Sequence, residues 1–197
     1  MTCIVGLVEG GVAYMGGDTL ASDPVGSHVV CRADEKVFKV NEGEFLMGFC
    51  GSYRVGQLLR YAFLPPRPEV DQDDMAYMVV DFVDAWRAVQ KEKGALKKAD
   101  EEESHPASVL VAYAGNLYAI EEDFDVGRPQ ENYYAIGAGS QFAFGSLHST
   151  KGLIKDPKQR ITMALDAASA YNASVRGPYT IVSCIHDMEA YERARKR

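Results

Sequence analysis

The sequence predicts an α+β fold: a four-layer α-β-β-α sandwich in which two antiparallel sheets face each other and each carries a helix pair on its outer side. Three observations predict it. Apolar, β-branched segments cluster at the start, middle and end of the chain; helical segments with one apolar face come in two pairs; and hairpin signals join the strands in place of alternating strand and helix units. Hairpin-built sheets are antiparallel and bury one face against something else, and a helix pair supplies that cover.

The elements follow in order. Residues 2 to 8 (TCIVGLV) are apolar and β-branched, Gly10-Gly11 is a tight-turn signal, and residues 12 to 18 (VAYMGGD) return as the second strand of a hairpin. A Gly/Ser/Pro-bearing stretch from Ser22 to Ser27 leads to short strands at 28 to 32 and 36 to 40, an NEGE turn, and a strand over 45 to 50 (FLMGFC). The first helix covers 52 to 63, with Val55, Leu58, Leu59 and Ala62 on one face, and stops at Pro65-Pro66. The second follows Asp71: Met75, Met78, Val79, Phe82, Val83, Trp86 and Val89 recur at spacings that form a core stripe, and Gly94 lies at its end. KKADEEES, from Lys97, reads as a charged, solvated loop.

A second hairpin pairs 107–114 with 117–122 through Gly115-Asn116, and a strand near 133–136 runs into IGAGS. Helical segments cover roughly 140–148 and, after Pro157, a longer run with Ile161, Ala164, Leu165, Ala168 and Tyr171 on one face. YTIVSCIH, from Tyr179, is the closing strand. At 197 residues the chain has the length of one domain spanning 1–197.

Composition narrows the function. With 47% hydrophobic and 25% charged residues the chain is that of a folded globular protein, and a net charge of −7 argues against nucleic acid or an anionic membrane as partner. The basic ending Glu192-Arg-Ala-Arg-Lys-Arg197 reads as a frayed terminus. Cys3, Cys31, Cys50 and Cys184 lack CxxC spacing and sit mostly in apolar strands, as expected of buried free thiols in a reducing compartment. With no signal segment and no apolar run of about eighteen residues, a cytoplasmic protein is expected.

Several motifs fall away on inspection. Ile136-Gly-Ala-Gly-Ser-Gln-Phe142 is glycine-rich, but Phe142 occupies the position where a dinucleotide loop needs a small residue, so close helix-on-sheet packing explains it better. The histidines lack metal-ligand spacing, no phosphate-binding loop is present, and no serine nucleophile elbow occurs; neither metal nor cofactor is expected.

Thr2 remains. Removal of Met1 would leave a residue bearing both a hydroxyl and a free α-amine, whose ordinary pKa of about 7.7 to 8.0 suits it to accept the hydroxyl proton near neutrality. One residue then supplies nucleophile and base. Thr2 is equally acceptable as the first residue of an edge strand, so its surroundings decide. The Gly10-Gly11 turn brings Asp18 close to it; Lys36, opening KVFKV, carries an ammonium that would favour deprotonation near Thr2 and that Asp18 would orient; and Gly51, ending FLMGFCG, leaves an amide free to face a developing oxyanion.

MTCIVGLVEGGVAYMGGDT, DEKVFKV, FLMGFCGS and YYAIGAGSQFAFGSL together resemble, in order and in spacing, the landmarks of the proteasome β-subunit and HslV peptidase family of N-terminal-nucleophile hydrolases. The resemblance covers nearly the whole chain. It implies the Ntn-hydrolase sandwich and a threonine-type peptidase with Thr2 as nucleophile, Asp18 and Lys36 as the paired charges beside it, and Gly51 as oxyanion donor. Ser22 and Tyr53 match positions whose backbone holds an extended substrate. The resemblance also implies a homo-oligomeric ring acting on peptides or unfolded protein, with an ATPase unfoldase or cap as a possible partner. A start without a propeptide is closer to HslV than to most proteasome β-subunits.

The chain departs from the pattern at Ala138, where the family has a serine between the two late glycines, with Ser140 two residues further on. A later aspartate and serine are represented at best by Asn172 and Ser174. These departures keep two alternatives open: a ring-forming protein without activity, and an amidase acting on small molecules.

Overall fold

The computed structural model describes residues 2–22, 28–99 and 102–185. The first hairpin forms as its turn signal requires: β1 (Ile4–Glu9) and β2 (Val12–Asp18) pair with Ile4 opposite Gly17 and Glu9 opposite Val12. β12 (Tyr133–Ile136) adds to the free edge of β1, and β13 (Tyr179–Ile185) adds to β2, giving one four-stranded antiparallel sheet ordered β12-β1-β2-β13. The second sheet runs β11-β10-β9-β6-β5, built from β5 (Val37–Val40), β6 (Phe45–Gly51), β9 (Ala107–Tyr113), β10 (Asn116–Ile120) and β11 (Val126–Gly127).

The two sheets face each other across an apolar layer that includes Ile4, Met15, Val37, Leu46, Leu110 and Leu117. Alternation along β1 explains its unbroken apolar run: Ile4 points between the sheets, while Val5 and Leu7 point outward against the helices. Those helices are α4 (Ser140–Thr150) and α5 (Pro157–Tyr171); α5 has Pro157 in its first turn and is capped by the Asp156 side chain, which accepts from the Lys158 amide at 3.1 Å. Ile161, Ala164, Leu165 and Ala168 face the sheet and Tyr171 is exposed, because a residue at the end of the stripe has run past the sheet edge.

The outer face of the second sheet is covered by α1 (Tyr53–Tyr61) and by a long helical rod made of α2 (Asp74–Tyr77), a π-helical turn over Met78–Phe82, and α3 (Val83–Glu92). Trp86 is fully buried among Phe63, Phe82 and the strand residues, a core residue as its spacing predicts. Val79 departs from the expected stripe and is 45% exposed. The π turn is the reason: a wider turn shifts the phase of the residues within it, turning Tyr77, Met78 and Phe82 inward and Val79 outward.

Other differences are local. KKADEEES, expected as a loop, contains a two-stranded ribbon of β7 (Lys97–Ala99) and β8 (Glu102–Ser104), in which Lys98 sits opposite Glu103, a favourable cross-strand charge pair. The β9–β10 turn centres on Ala114-Gly115, both at positive φ, one residue earlier than expected, and Asn116 joins β10. A second short ribbon of β3 (Leu20–Ser22) and β4 (Val29–Cys31) follows the first hairpin. Cys3, Cys50 and Cys184 are buried free thiols, but Cys31 is exposed, because β4 has no layer above it. Residues 23–27 of the Ser22–Ser27 stretch and the basic C-terminal cluster lie outside the described residues. Among the described residues no helix is long and apolar enough to cross a membrane.

Candidate active site

Three sequence-predicted residues meet where the two sheets open toward the start of the chain. Thr2 leads into β1, Asp18 ends β2, and Lys36 leads into β5 of the other sheet. The hairpin register carries Asp18 up to the chain start: the Cys3 amide donates to Asp18 Oδ1 at 3.0 Å, and the Leu20 amide donates to Asp18 Oδ2 at 3.1 Å. Lys36 crosses from the second sheet into this corner, held in place because its own carbonyl accepts from the Phe49 amide of β6 at 3.1 Å.

The Lys36 ammonium donates to Thr2 Oγ1 at 2.8 Å, to Asp18 Oδ1 at 3.0 Å and to the Leu20 carbonyl at 2.6 Å. An ammonium has three donors, and all three are used. Thr2, Asp18 and Lys36 are 3%, 1% and 2% exposed, so this is a desolvated ion pair with a hydroxyl on it. Burial lowers the Lys36 pKa, and Asp18 opposes that shift by favouring the charged form. Such an ammonium is poised to stabilise negative charge on the threonine oxygen. Beside it the Cys3 thiol is pushed up to about 12, chiefly by burial and secondarily by Asp18, so it is no competing nucleophile.

Gly51 ends β6 with φ +98°, a conformation that favours glycine, and a Cβ there would lie 2.5 Å from the Pro106 carbonyl oxygen. The chain turns at once into α1: the Ser52 amide donates to Pro106 O at 2.8 Å, and the Ser52 hydroxyl caps the helix by accepting from Val55. The residue before Gly51, Cys50, approaches the chain start: a Cβ on Gly137 would meet the Thr2 carbonyl oxygen at 2.4 Å and Cys50 Cβ at 3.3 Å.

Tyr53 borders the Lys36 ammonium, and Ser22 follows the Leu20 carbonyl along β3. Ser22 ends β3, opposite Val29, two residues beyond the Leu20 carbonyl that holds Lys36. The Tyr53 ring centroid is 6.0 Å from Lys36 Nζ, edge-on to Phe49, with the Arg32 guanidinium 4.0 Å above it. Its hydroxyl is buried without a hydrogen-bond partner among the described residues, and burial pushes its pKa up to about 12 against the opposing charge of Arg32. Arg32 and Phe49 also line a cavity of about 310 Å³ together with Glu35, Gln57, Arg60 and Tyr61.

Sequence reasoning missed three contributors. The Leu20 carbonyl and the Gly139 amide, which donates to the Thr2 carbonyl at 3.3 Å, are backbone groups with no residue signature. Arg32 carries no motif that would single it out. Of the two late departures, Asn172 donates from Nδ2 to the carbonyl of Ala138 at 2.7 Å, so the two positions are in direct contact. Among the described residues no three His, Cys, Asp or Glu side chains converge as a metal site would require.

Comparison with known proteins places this corner in context. No family model matches the chain. The ATP-dependent protease subunit HslV of Petrotoga mobilis is 26% identical over 145 residues, covering 74% of this chain and 75% of that protein. The HslV subunit of Roseobacter denitrificans is 26% identical over 168 residues, covering 84% and 82%. Among solved structures, Thiobacillus denitrificans BPH in complex with epoxomicin superposes with a TM-score of 0.75 at 20% identity, covering 94% of this chain and 100% of that one. HslV of Trypanosoma brucei gives a TM-score of 0.69 at 16% identity, covering 94% and 100%. The fold is that of the Ntn hydrolases.

Proposed function

We propose, from the premise that this chain is an HslV-like member of the proteasome β-subunit family, that it is a threonine-type peptidase acting through Thr2. The observation that carries the proposal is the buried Lys36 ammonium, 2.8 Å from Thr2 Oγ1 and 3.0 Å from Asp18 Oδ1.

In this reading Met1 is removed and the α-amine of Thr2 becomes the general base. Thr2 Oγ1 attacks a peptide carbonyl while the amine takes its proton; Lys36, held charged by Asp18, lowers the energy of the developing alkoxide. The amide of Gly51 faces the oxyanion of the tetrahedral intermediate. The amine returns the proton to the leaving nitrogen as the C–N bond breaks, leaving an ester on Thr2. Water, activated by the same amine, attacks that ester and regenerates the hydroxyl. An extended substrate lies along the backbone of Ser22 and Tyr53, with the Arg32–Tyr53 stack forming a side wall.

The protein then acts as one hydrolase domain per subunit in a homo-oligomeric ring that encloses these sites, on peptides or unfolded protein. The relatives' designation as ATP-dependent protease subunits motivates an ATPase unfoldase as partner. Free buried thiols at Cys3, Cys50 and Cys184 suit a reducing, cytoplasmic setting.

The test is hydrolysis of fluorogenic peptides by the wild type and by Thr2→Ala, with intact-mass measurement of each. Loss of Met1 and a fall in kcat of at least about a thousandfold in Thr2→Ala are expected, since the variant lacks the nucleophile. Retained Met1, or equal turnover by the variant, overturns the proposal.

A further inference from the structure

We infer that His105, acting through Pro106, is a positioning residue for the Gly51 amide: its ring, packed between α3 and the β10–β11 turn, holds the carbonyl that fixes the chain as it leaves β6. The inference rests on the hydrolase reading above, in which that amide faces the oxyanion. Amides alternate in direction along β6. The Phe49 amide donates toward β5, to the Lys36 carbonyl at 3.1 Å, and Gly51, two residues on, turns its amide to the same side. The next peptide group is clamped from the opposite side, where the Ser52 amide donates to Pro106 O at 2.8 Å. Between the two lies a φ of +98° at a residue with no Cβ to restrict it, so the torsion is held by what surrounds it. Pro106 and Ala107 surround it: a Cβ on Gly51 would lie 2.5 Å from Pro106 O and 2.9 Å from Ala107 Cα.

Pro106 O is held in turn by His105. The pyrrolidine ring fixes φ at Pro106, and a residue before proline is biased to extended backbone, so 105–106 moves as a stiff unit. The His105 amide donates to Glu122 O at 2.9 Å, and its carbonyl accepts from the Ala107 amide at 2.9 Å. Its side chain is buried, edge-on to Trp86 of α3 at 6.4 Å and 4.6 Å from Phe124, between ring centroids. Phe124 presents its ring from a left-handed φ of +68°, in a turn closed by its own amide donating to the Glu121 carbonyl at 3.0 Å. The His105 ring nitrogens lack well-formed hydrogen bonds among the described residues, so packing of the ring, and not a polar contact, sets its place.

Alignment of this donor matters because removing one oxyanion donor outright costs about a hundred- to a thousandfold in kcat. A donor that is kept but released from its tether loses part of that. The second sheet thus carries Lys36 toward the threonine oxygen on one strand and, through the start of β9, steadies the Gly51 amide on another.

Removing the ring and restoring its bulk supply the test. His105→Ala empties the space between Trp86 and Phe124, and His105→Phe refills it with a ring that has no nitrogens. Pro106→Gly keeps the His105 ring and the acceptor carbonyl but frees the torsion between them, and it decides the question alone if His105→Ala does not assemble. Three readouts are taken on the intact assembly: amide hydrogen exchange across 50–56, kcat and KM for a fluorogenic peptide, and Ki for a peptide aldehyde, whose tetrahedral adduct with Thr2 sets an oxygen where the oxyanion forms. Loss of stability alone lowers the number of working sites and leaves Ki unmoved. In His105→Ala and Pro106→Gly, exchange of the Ser52 amide is expected to rise about tenfold, kcat to fall and aldehyde Ki to rise about three- to tenfold, with KM within about twofold of wild type, the scale of one weakened hydrogen bond. His105→Phe is expected to stay within about twofold of wild type on all of them. Unchanged exchange overturns the tether while leaving the Thr2 chemistry standing. Faster exchange with unchanged kcat and Ki overturns the positioning role, and so does His105→Phe failing as badly as His105→Ala. A wild type without turnover overturns the hydrolase reading, and the positioning role with it, whatever the exchange shows.

Discussion

At the scale of single residues, the Lys36 ammonium does two things that pull its pKa in opposite directions. Burial favours the neutral amine, and Asp18 together with the Thr2 hydroxyl and Leu20 carbonyl favours the cation, with burial the larger effect. The rate profile should register this. On the proposed mechanism, the rising limb of kcat/KM should follow deprotonation of the Thr2 α-amine, and the falling limb loss of the Lys36 charge at a pH below the ordinary lysine value of 10.5. A profile flat to pH 11 would show that the cation is not needed. Replacing Lys36 by Met strands the Asp18 carboxylate without its counter-ion at a site 1% exposed, and is expected to cost about 3 to 5 kcal/mol of stability as well as activity, read from denaturant midpoints.

The pairing of Thr2 with Asp18 was legible in the sequence, because a hairpin turn at Gly10-Gly11 fixes which residues face each other. Lys36 was legible only through its motif: it reaches the site from the other sheet, and no local pattern reveals how two sheets stack. Asn172 read as a loss, because its acceptor is a main-chain oxygen and residue identity says nothing about main-chain acceptors.

At the scale of elements, His105 marks the junction of β8 and β9. It is 1% exposed, edge-on to Trp86 and 4.6 Å from Phe124 between ring centroids, and its ring nitrogens lack well-formed hydrogen bonds among the described residues. Burial lowers its pKa from 6.5 to about 4, only partly offset by the Glu121 backbone and by Asp123. Between those values the unfolded chain binds the proton and the folded one does not. The neutral ring's contribution is thus intact above pH 6.5 and is lost as pH falls from 6.5 toward 4, a change on the order of 3 kcal/mol. His105→Phe, which suits the aromatic surroundings, should remove this part of the acid sensitivity. Denaturant midpoints at pH 7 and pH 4.5 test it, and an equal drop in variant and wild type would refute the assignment.

Elements defined by long periodic stripes or by paired turn residues matched expectation, whereas β3, β7, β8 and β11 did not stand out. Each has two or three residues, too few for a period, and owes its pairing to what lies across from it. The π turn under Val79 belongs to the same class, since an inserted phase shift has no signature in apolar spacing alone.

At the scale of the whole molecule, the subunit of 21.6 kDa is expected to travel as a ring. Native mass spectrometry should give a closed multiple of the subunit mass, unchanged by Thr2→Ala, because Thr2 is 3% exposed inside its own subunit and contributes nothing to an outer face. A monomeric species would favour the small-molecule amidase alternative. The four-layer architecture itself was readable from the order of hairpins and helix pairs, because each apolar stripe needs a covering partner and few arrangements cover all of them.

The uneven exposure of the four sulfur atoms has a practical side. Cys31 alone lies open on a ribbon strand, directly opposite Leu20, whose carbonyl grips the lysine of the reactive corner. A maleimide dye would therefore attach once per polypeptide without any engineering. Its emission would test, in real time, whether an added peptide settles against that ribbon.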